Sequence, residues 1–260
     1  MARTLLIRGM LVGLLAGLLV FTFAKTFGEP QVDRAITFET AMDEAKVKAE
    51  MAKGMPAPPD EPELVSRPVQ ASYGLATGVF VYSAAFGGLF ALVFAFIYGR
   101  VGHLRPRAVS ALLAAGGFVA VYLVPILKYP ANPPSIGQPD TIVFRTEIFT
   151  IMIVISVAAM VGAAVLRQRL VPSRGAWSAT LIAAACYAVV IIAAWLLLPP
   201  LDETPEGFPA AVLWKFRIAS LGMQFIMWTT LGLVFGELAD RILTSGYGLP
   251  RANRPRTVLH

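Results

Sequence analysis

Six apolar stretches, each about as long as a helix needs to cross a bilayer, alternate with segments rich in charge or proline. They cover residues 5–27, 71–98, 108–127, 148–166, 176–198 and 218–235. A helix rising 1.5 Å per residue needs about 20 residues to cross about 30 Å of hydrocarbon, and each run is close to that length. With 57% hydrophobic residues and a mean hydropathy of +0.67, a water-soluble fold would lack the polar surface to cover itself. The expected fold is all-α: one integral membrane domain over residues 1–260, a polytopic bundle of about six transmembrane helices.

Charge orients the bundle. Arg3, Arg8, Arg100, Arg105, Arg107, Arg167, Arg169, Arg174, Arg241, Arg251, Arg254 and Arg256 fall on one side, with only Glu237 and Asp240 as acids. The other side is net acidic, carrying −4 against +10 within a total of +6. Positive residues are retained in the cytoplasm, so both termini are expected there and three longer loops outside, in a bacterial-type plasma (inner) membrane. The basic excess is spread over short juxtamembrane loops, which suits anionic lipid headgroups and gives no nucleic-acid surface. Arg3 and Arg8 precede an apolar run as in a signal peptide, but no small-residue cleavage site precedes Lys25, so a retained first helix is expected.

Gly9, Gly13 and Gly17 recur every fourth residue, and Gly74 and Gly78 repeat the spacing, allowing another helix close approach. The single cysteine, Cys186, lies within the fifth run and reads as structural, so no intrachain disulfide is expected.

The external loops hold the unusual sequence. Residues 28–70 show Ala35, Ile36, Phe38, Met42, Ala45 and Ala49 near helical spacing, which predicts an external amphipathic helix ending at Gly54. A stretch with five prolines in 15 residues follows as a semi-rigid spacer. The second loop packs four prolines between Pro130 and Pro139, and the third carries Asp202, Glu203 and Glu206 ahead of Phe208, Trp214 and Phe216. Trp214 suits the interfacial belt. Arginines close the three loops at Arg67, Arg145 and Arg217, a hint of three hairpins of one design.

The blocks GEPQVDRAITFE, LVSRPVQ, LKYPANPP with PDTI and FRTE, and PEGFP with LWKFR resemble the predicted cobalt transporter subunit family of the CbtA type, over nearly the whole chain. That resemblance implies metal uptake linked to cobalamin supply, beside a one-helix partner of the CbtB type bearing a histidine motif. Family members are usually described with about five spans, whereas six are read here. These blocks supply residues with structural or transport-associated roles: Arg34, Arg67, Gln70, Lys128, Tyr129, Asn132, Asp140, Thr141, Arg145, Trp214 and Arg217, joined by Gln224 in the last span.

Cobalt(II) accepts imidazole and carboxylate ligands. The two histidines, His103 and His260, both fall on the expected cytoplasmic side, which leaves carboxylates. Glu29, Asp33 and Glu39 in the first loop, with Glu203 and Glu206 in the third, are the metal candidates, concentrating a cation through their summed field. Salt bridges to Arg34, Arg67, Arg145 and Arg217 that hold the loops are an equally natural role for them.

The centre of every span is free of Asp, Glu, Lys, Arg and His; Ser83, Thr150, Ser156, Cys186, Gln224, Thr229 and Thr230 are its polar inventory, beside a Met223/Met227 pair. No nucleophile triad, HExxH or phosphate loop is present, so no enzyme is expected. No resident cofactor is expected either, with divalent cobalt as cargo. Two readings follow: a permease subunit, or a non-transporting membrane scaffold whose external loops dock a partner protein.

Overall fold

The computed structural model describes residues 2–56, 64–100, 102, 104–134 and 136–245. His103, His260, Asp60 and the arginines of the tail beyond residue 245 lie outside the described residues, as does most of the proline-rich spacer. Five continuous helices are long and apolar enough to cross a membrane: Ala2–Ala52 (α1), Arg67–Ile97 (α2), Pro106–Lys128 (α3), Pro139–Leu197, and Ala210–Thr244 (α6).

The fourth of these is two passes. Ser156 Oγ and Tyr187 Oη are 2.9 Å apart, yet 31 residues of straight helix would separate them by roughly 46 Å at 1.5 Å per residue. Arg167 Nε likewise donates to Thr180 Oγ1 at 2.8 Å. The chain reverses at Gly175, whose φ of 75° is open to glycine without strain. Its arms, residues 142–174 (α4) and 176–197 (α5), form an antiparallel hairpin. The five long helices therefore make six apolar helical arms among the described residues.

α1, α2, α3 and α6 make the central bundle. Val12, Ala16 and Val20 of α1, Phe90 and Phe94 of α2, Val109 and Ala114 of α3, and Trp228, Leu231 and Phe235 of α6 share one core. Trp228 meets Phe86 edge-on at 5.0 Å, and Phe235 meets Phe94 at 5.2 Å. The Gly9, Gly13 and Gly17 stripe packs within the monomer, against Ser83, Gly87 and Ala91 of α2. Ser83 is fully buried and its hydroxyl has no hydrogen-bond partner among the described residues. Small size accounts for its place there. Gly78, by contrast, has nothing within reach of a Cβ.

The α4–α5 hairpin docks on the distal half of α3 through Ile148, Met152 and Ala194 packed against Val124 and Tyr129. Its outer faces display Val154, Val161, Val189 and Leu196, and Cys186 is exposed there too. Apolar side chains facing outward on a membrane hairpin are solvated by lipid.

One difference from the sequence reading concerns Pro30. A proline lacks the N–H that a helix needs and crowds the carbonyl four residues back, so residues 28–30 read as the exit from the first span. The helix instead continues beyond the apolar run as Glu29–Ala52. A five-residue π turn, Ala24–Gly28, precedes the proline and widens the ladder where Thr26 would clash. α3 handles Pro125 in the same way, with a π segment at Phe118–Leu123.

Two further π turns expose carbonyls that side chains then satisfy. Ser110 Oγ donates to Gly232 O across the core at 2.8 Å, and Lys25 Nζ donates to Ala71 O at 2.8 Å. An unpaired backbone acceptor in hydrocarbon costs several kcal/mol, so these bonds fix which helices lie side by side. This polar extension of α1 ends at Ala52, two residues before Gly54, whose φ is 85°.

Candidate functional site

At one end of the bundle the three longer loops meet in a cap. Ala35 and Phe38 from α1, Ile136 from the second loop, and Phe208 and Val212 from the third form a small apolar core, with Phe38 and Phe208 edge-to-face at 5.1 Å. This core draws together segments more than a hundred residues apart in sequence.

The three loop-closing arginines staple the cap. Arg67 binds Glu29 at 2.5 Å and Asp33 at 2.8 Å, tying the start of α2 to α1. Arg145 pairs with Glu203 at 3.4 Å and donates to Ile136 O and Gln138 O, joining the second loop to the third. Arg217 donates to Asn132 Oδ1 at 2.9 Å and to Ala131 O at 3.3 Å, anchoring α6 to the second loop. Around them Lys128 caps Trp195 O, Tyr129 Oη donates to Pro199 O, and Gln70 Nε2 donates to Val65 O.

Beneath the second and third loops lies a cavity of about 460 Å³. Its polar lining comprises Tyr122, Tyr129, Asn132, Asp202, Glu203, Arg145 and Arg217, set among apolar side chains such as Ile126, Phe149 and Leu201. The two carboxylates differ. Glu203 accepts from Thr141 Oγ1 at 2.9 Å and from the Gln138 N–H at 3.0 Å, and faces Arg145. The Thr141 hydroxyl and then the Gln138 N–H hold its pKa below the usual carboxylate range, against an opposing contribution from burial, with Arg145 adding the smallest lowering effect. Asp202 is exposed, receives only a long 3.4 Å bond from the Thr204 N–H, and forms no ion pair among the described residues, with Arg217 on the same cavity wall as its charged neighbour beyond ion-pairing distance. Its oxygens are available to a ligand.

Tyr122, which also lines the cavity, bonds Ser220 Oγ of α6 at 2.8 Å. At the opposite end of the bundle, Arg107 pairs with Glu237 and Asp240, each at 3.0 Å. These are the two acids that sequence places among the arginines.

Of the residues singled out from sequence, Tyr129, Asn132, Arg145, Arg217 and Glu203 come together at the cavity, with Thr141 behind Glu203. Glu29 and Asp33 are gathered at Arg67, whereas Glu39 and Glu206 are exposed and Asp140 sits exposed in a single 3-10 turn. Arg34 and Trp214 line a second cavity. Among the described residues no three His, Cys, Asp or Glu side chains cluster as a ready-made metal cage. Asp202, one of three acids in the third loop, and Tyr122, a tyrosine in an apolar run, carry no mark in sequence that distinguishes them as site residues.

The paired Glu203 makes the cap pH-dependent, with a determined sign. A folded pKa below the unfolded value contributes stability that is complete above the ordinary carboxylate range and disappears as pH falls through the lowered value. Thermal unfolding of the purified protein, followed against pH, is expected to lose stability in acid, and Thr141→Val should move that loss to higher pH. An unmoved acid limb would contradict Thr141's role.

No curated protein and no solved structure matches the chain. A family model described as probable cobalt transporter subunit (CbtA) matches residues 2–240, and the chain, a multi-pass membrane protein, belongs to that family.

Proposed function

We propose that this chain is the bilayer-spanning subunit through which a cobalt uptake system passes its cation, with the cavity beneath the cap as the external capture site. Membership of a cobalt transporter subunit family supports the metal, and the observation that carries the site is Asp202, an exposed carboxylate outside any ion pair among the described residues, in a cavity whose other walls are apolar side chains, tyrosine and amide oxygens, the Arg145–Glu203 pair and Arg217. At about 30 Å³ per water, about 460 Å³ accommodates a divalent ion with a full hydration shell. Glu29, Asp33, Glu39 and Glu206 lie in the external segments and add to the field that concentrates cations there.

In this reading the chain does no bond-making chemistry and has no resident cofactor. Cobalt favours nitrogen donors as well as oxygen, and a histidine-bearing one-helix subunit of the CbtB type supplies the imidazoles that the cap does not contain among its described residues. The link to cobalamin supply rests on the family resemblance. The test is radioactive cobalt uptake in cells without their own importers, with the chain expressed alone and beside such a partner. Uptake competed by unlabelled cobalt supports the permease reading. With the protein present in the membrane, no uptake in either arrangement supports a scaffold that docks other proteins through its cap.

The cap is placed outside and both termini inside the plasma membrane, because Arg100, Arg105, Arg107, Arg167, Arg169 and Arg174 gather at the opposite end. With Cys186 replaced by serine, a cysteine at Glu206 should react with an impermeant thiol reagent in whole cells and one at Arg169 should not. The reverse pattern inverts the orientation.

A further inference from the structure

A second cavity, of about 430 Å³, opens where α1 leaves the membrane beside the start of α6. Its chemistry is opposite to that of the first. No carboxylate lines it; Arg34 and Lys215 stand at its rim, one from each helix. Neither has an acidic partner within ion-pairing distance among the described residues, and the contact Arg34 makes is to a neutral amide oxygen, Gln31 Oε1, at 2.9 Å. A divalent metal would be repelled here.

Gln31, only 7% exposed, lines the cavity beside these two cations and accepts from Arg34 through Oε1, which orients that guanidinium without neutralising it. Below the polar rim the walls turn apolar, through Phe23, Phe27 and Ile218. Phe27 and Trp214 remain largely exposed at this level, where aromatic side chains sit at the membrane–water boundary.

Two unpaired cations, with a glutamine amide between them and an apolar slot below, at headgroup depth, match one ligand class. We propose that this cavity binds an anionic phospholipid, its phosphate held by Arg34, Lys215 and the Gln31 amide and its acyl chains lying along Phe23 and Ile218. Phosphate oxygens accept all three sets of donors, and the diester charge neutralises the rim. The bound lipid then fills the seam between α1 and α6 just below the cap. A zwitterionic lipid would bring a second cation to the rim and bind less well.

The test uses the full purified chain in detergent, observed by native mass spectrometry with equal amounts of phosphatidylglycerol or phosphatidylcholine of matched acyl chains, and in a separate arm with inorganic phosphate. Near a membrane surface each cation strengthens anionic-lipid binding severalfold. Phosphatidylglycerol is therefore expected to be retained on the order of tenfold more than phosphatidylcholine, and Arg34→Gln with Lys215→Gln should abolish that preference. Lys46→Gln with Lys48→Gln, which removes two exposed cations further along α1, should leave it intact. Equal retention of the two lipids in the unaltered protein overturns the proposal without any variant, as does a preference that survives the double substitution. Inorganic phosphate that binds alone and displaces the lipid would mark a site for free oxyanions, which also overturns it.

Discussion

Replacing Gly13 with leucine should remove most of the folded protein from the membrane, while the same change at Gly162 should leave its abundance close to the unaltered level. The contrast follows from what each glycine faces. A Cβ at Gly13 would stand 3.0 Å from the carbonyl carbon of Ser83 and 3.2 Å from Gly87 Cα, and one at Gly87 would stand 2.8 Å from Gly13 Cα. These neighbours are backbone, which cannot swing aside as a side-chain tip can. α1 and α2 would have to part along their whole contact, opening the core that Val12, Ala16, Phe90 and Phe94 share.

Overpacking a tight interior by single methylene groups costs about 1–3 kcal/mol, and a leucine wedged between two backbones lies at or beyond the top of that range. Marginal stability leaves little to absorb it. Gly162 has nothing within reach of a Cβ, so a leucine there meets lipid. Membrane abundance, detergent-extracted and measured after size-exclusion chromatography, distinguishes the two. Equal abundance of both variants would mean that the α1–α2 contact is not the close approach described.

Much of this fold is legible in sequence because lipid imposes so few solutions. Apolar length alone finds the six helical arms, including α4 and α5, whose reversal is marked by Pro172 and Gly175 even though helical backbone runs almost unbroken through it. The glycine stripe on α1 announces a close helix contact, and the structure supplies the partner. The continuity of α1 past Pro30 is not legible, since the π turn that relieves the proline depends on a one-residue change in hydrogen-bond register that no composition signals.

The cavity is harder still to read in advance. Its walls come from residues 122 to 217, and their meeting is decided by the packing of Ile136 and Phe208 under α1. Asp202 and Glu203 are adjacent and chemically alike. Only the folded loop shows that Glu203 is taken up by Thr141, Gln138 and Arg145 while Asp202 is left open. Arg67, Arg145 and Arg217 stood out as a repeated loop ending; what they repeat is a mechanical role, each joining two segments of the cap.

That difference between neighbouring acids yields the second large effect. Asp202→Asn keeps the size and hydrogen-bonding shape of the side chain and removes only its charge, so the cap should assemble normally. Even residues that merely orient metal ligands contribute about 10- to 100-fold to affinity, and loss of a carboxylate that touches the ion should lower uptake at limiting cobalt at least as much. Glu203→Gln acts differently. It weakens the Arg145 staple, so its main consequence should be reduced stability and abundance, with transport per remaining molecule less affected.

The decisive measurement is the initial rate of radioactive cobalt uptake per molecule of protein in the membrane, at limiting cobalt and beside the histidine-bearing partner, for the unaltered chain and for Asp202→Asn. A fall on the order of tenfold or more at equal abundance is the predicted result. Unchanged uptake per molecule would contradict the assignment of the cavity beneath the cap as the place where the cation is captured.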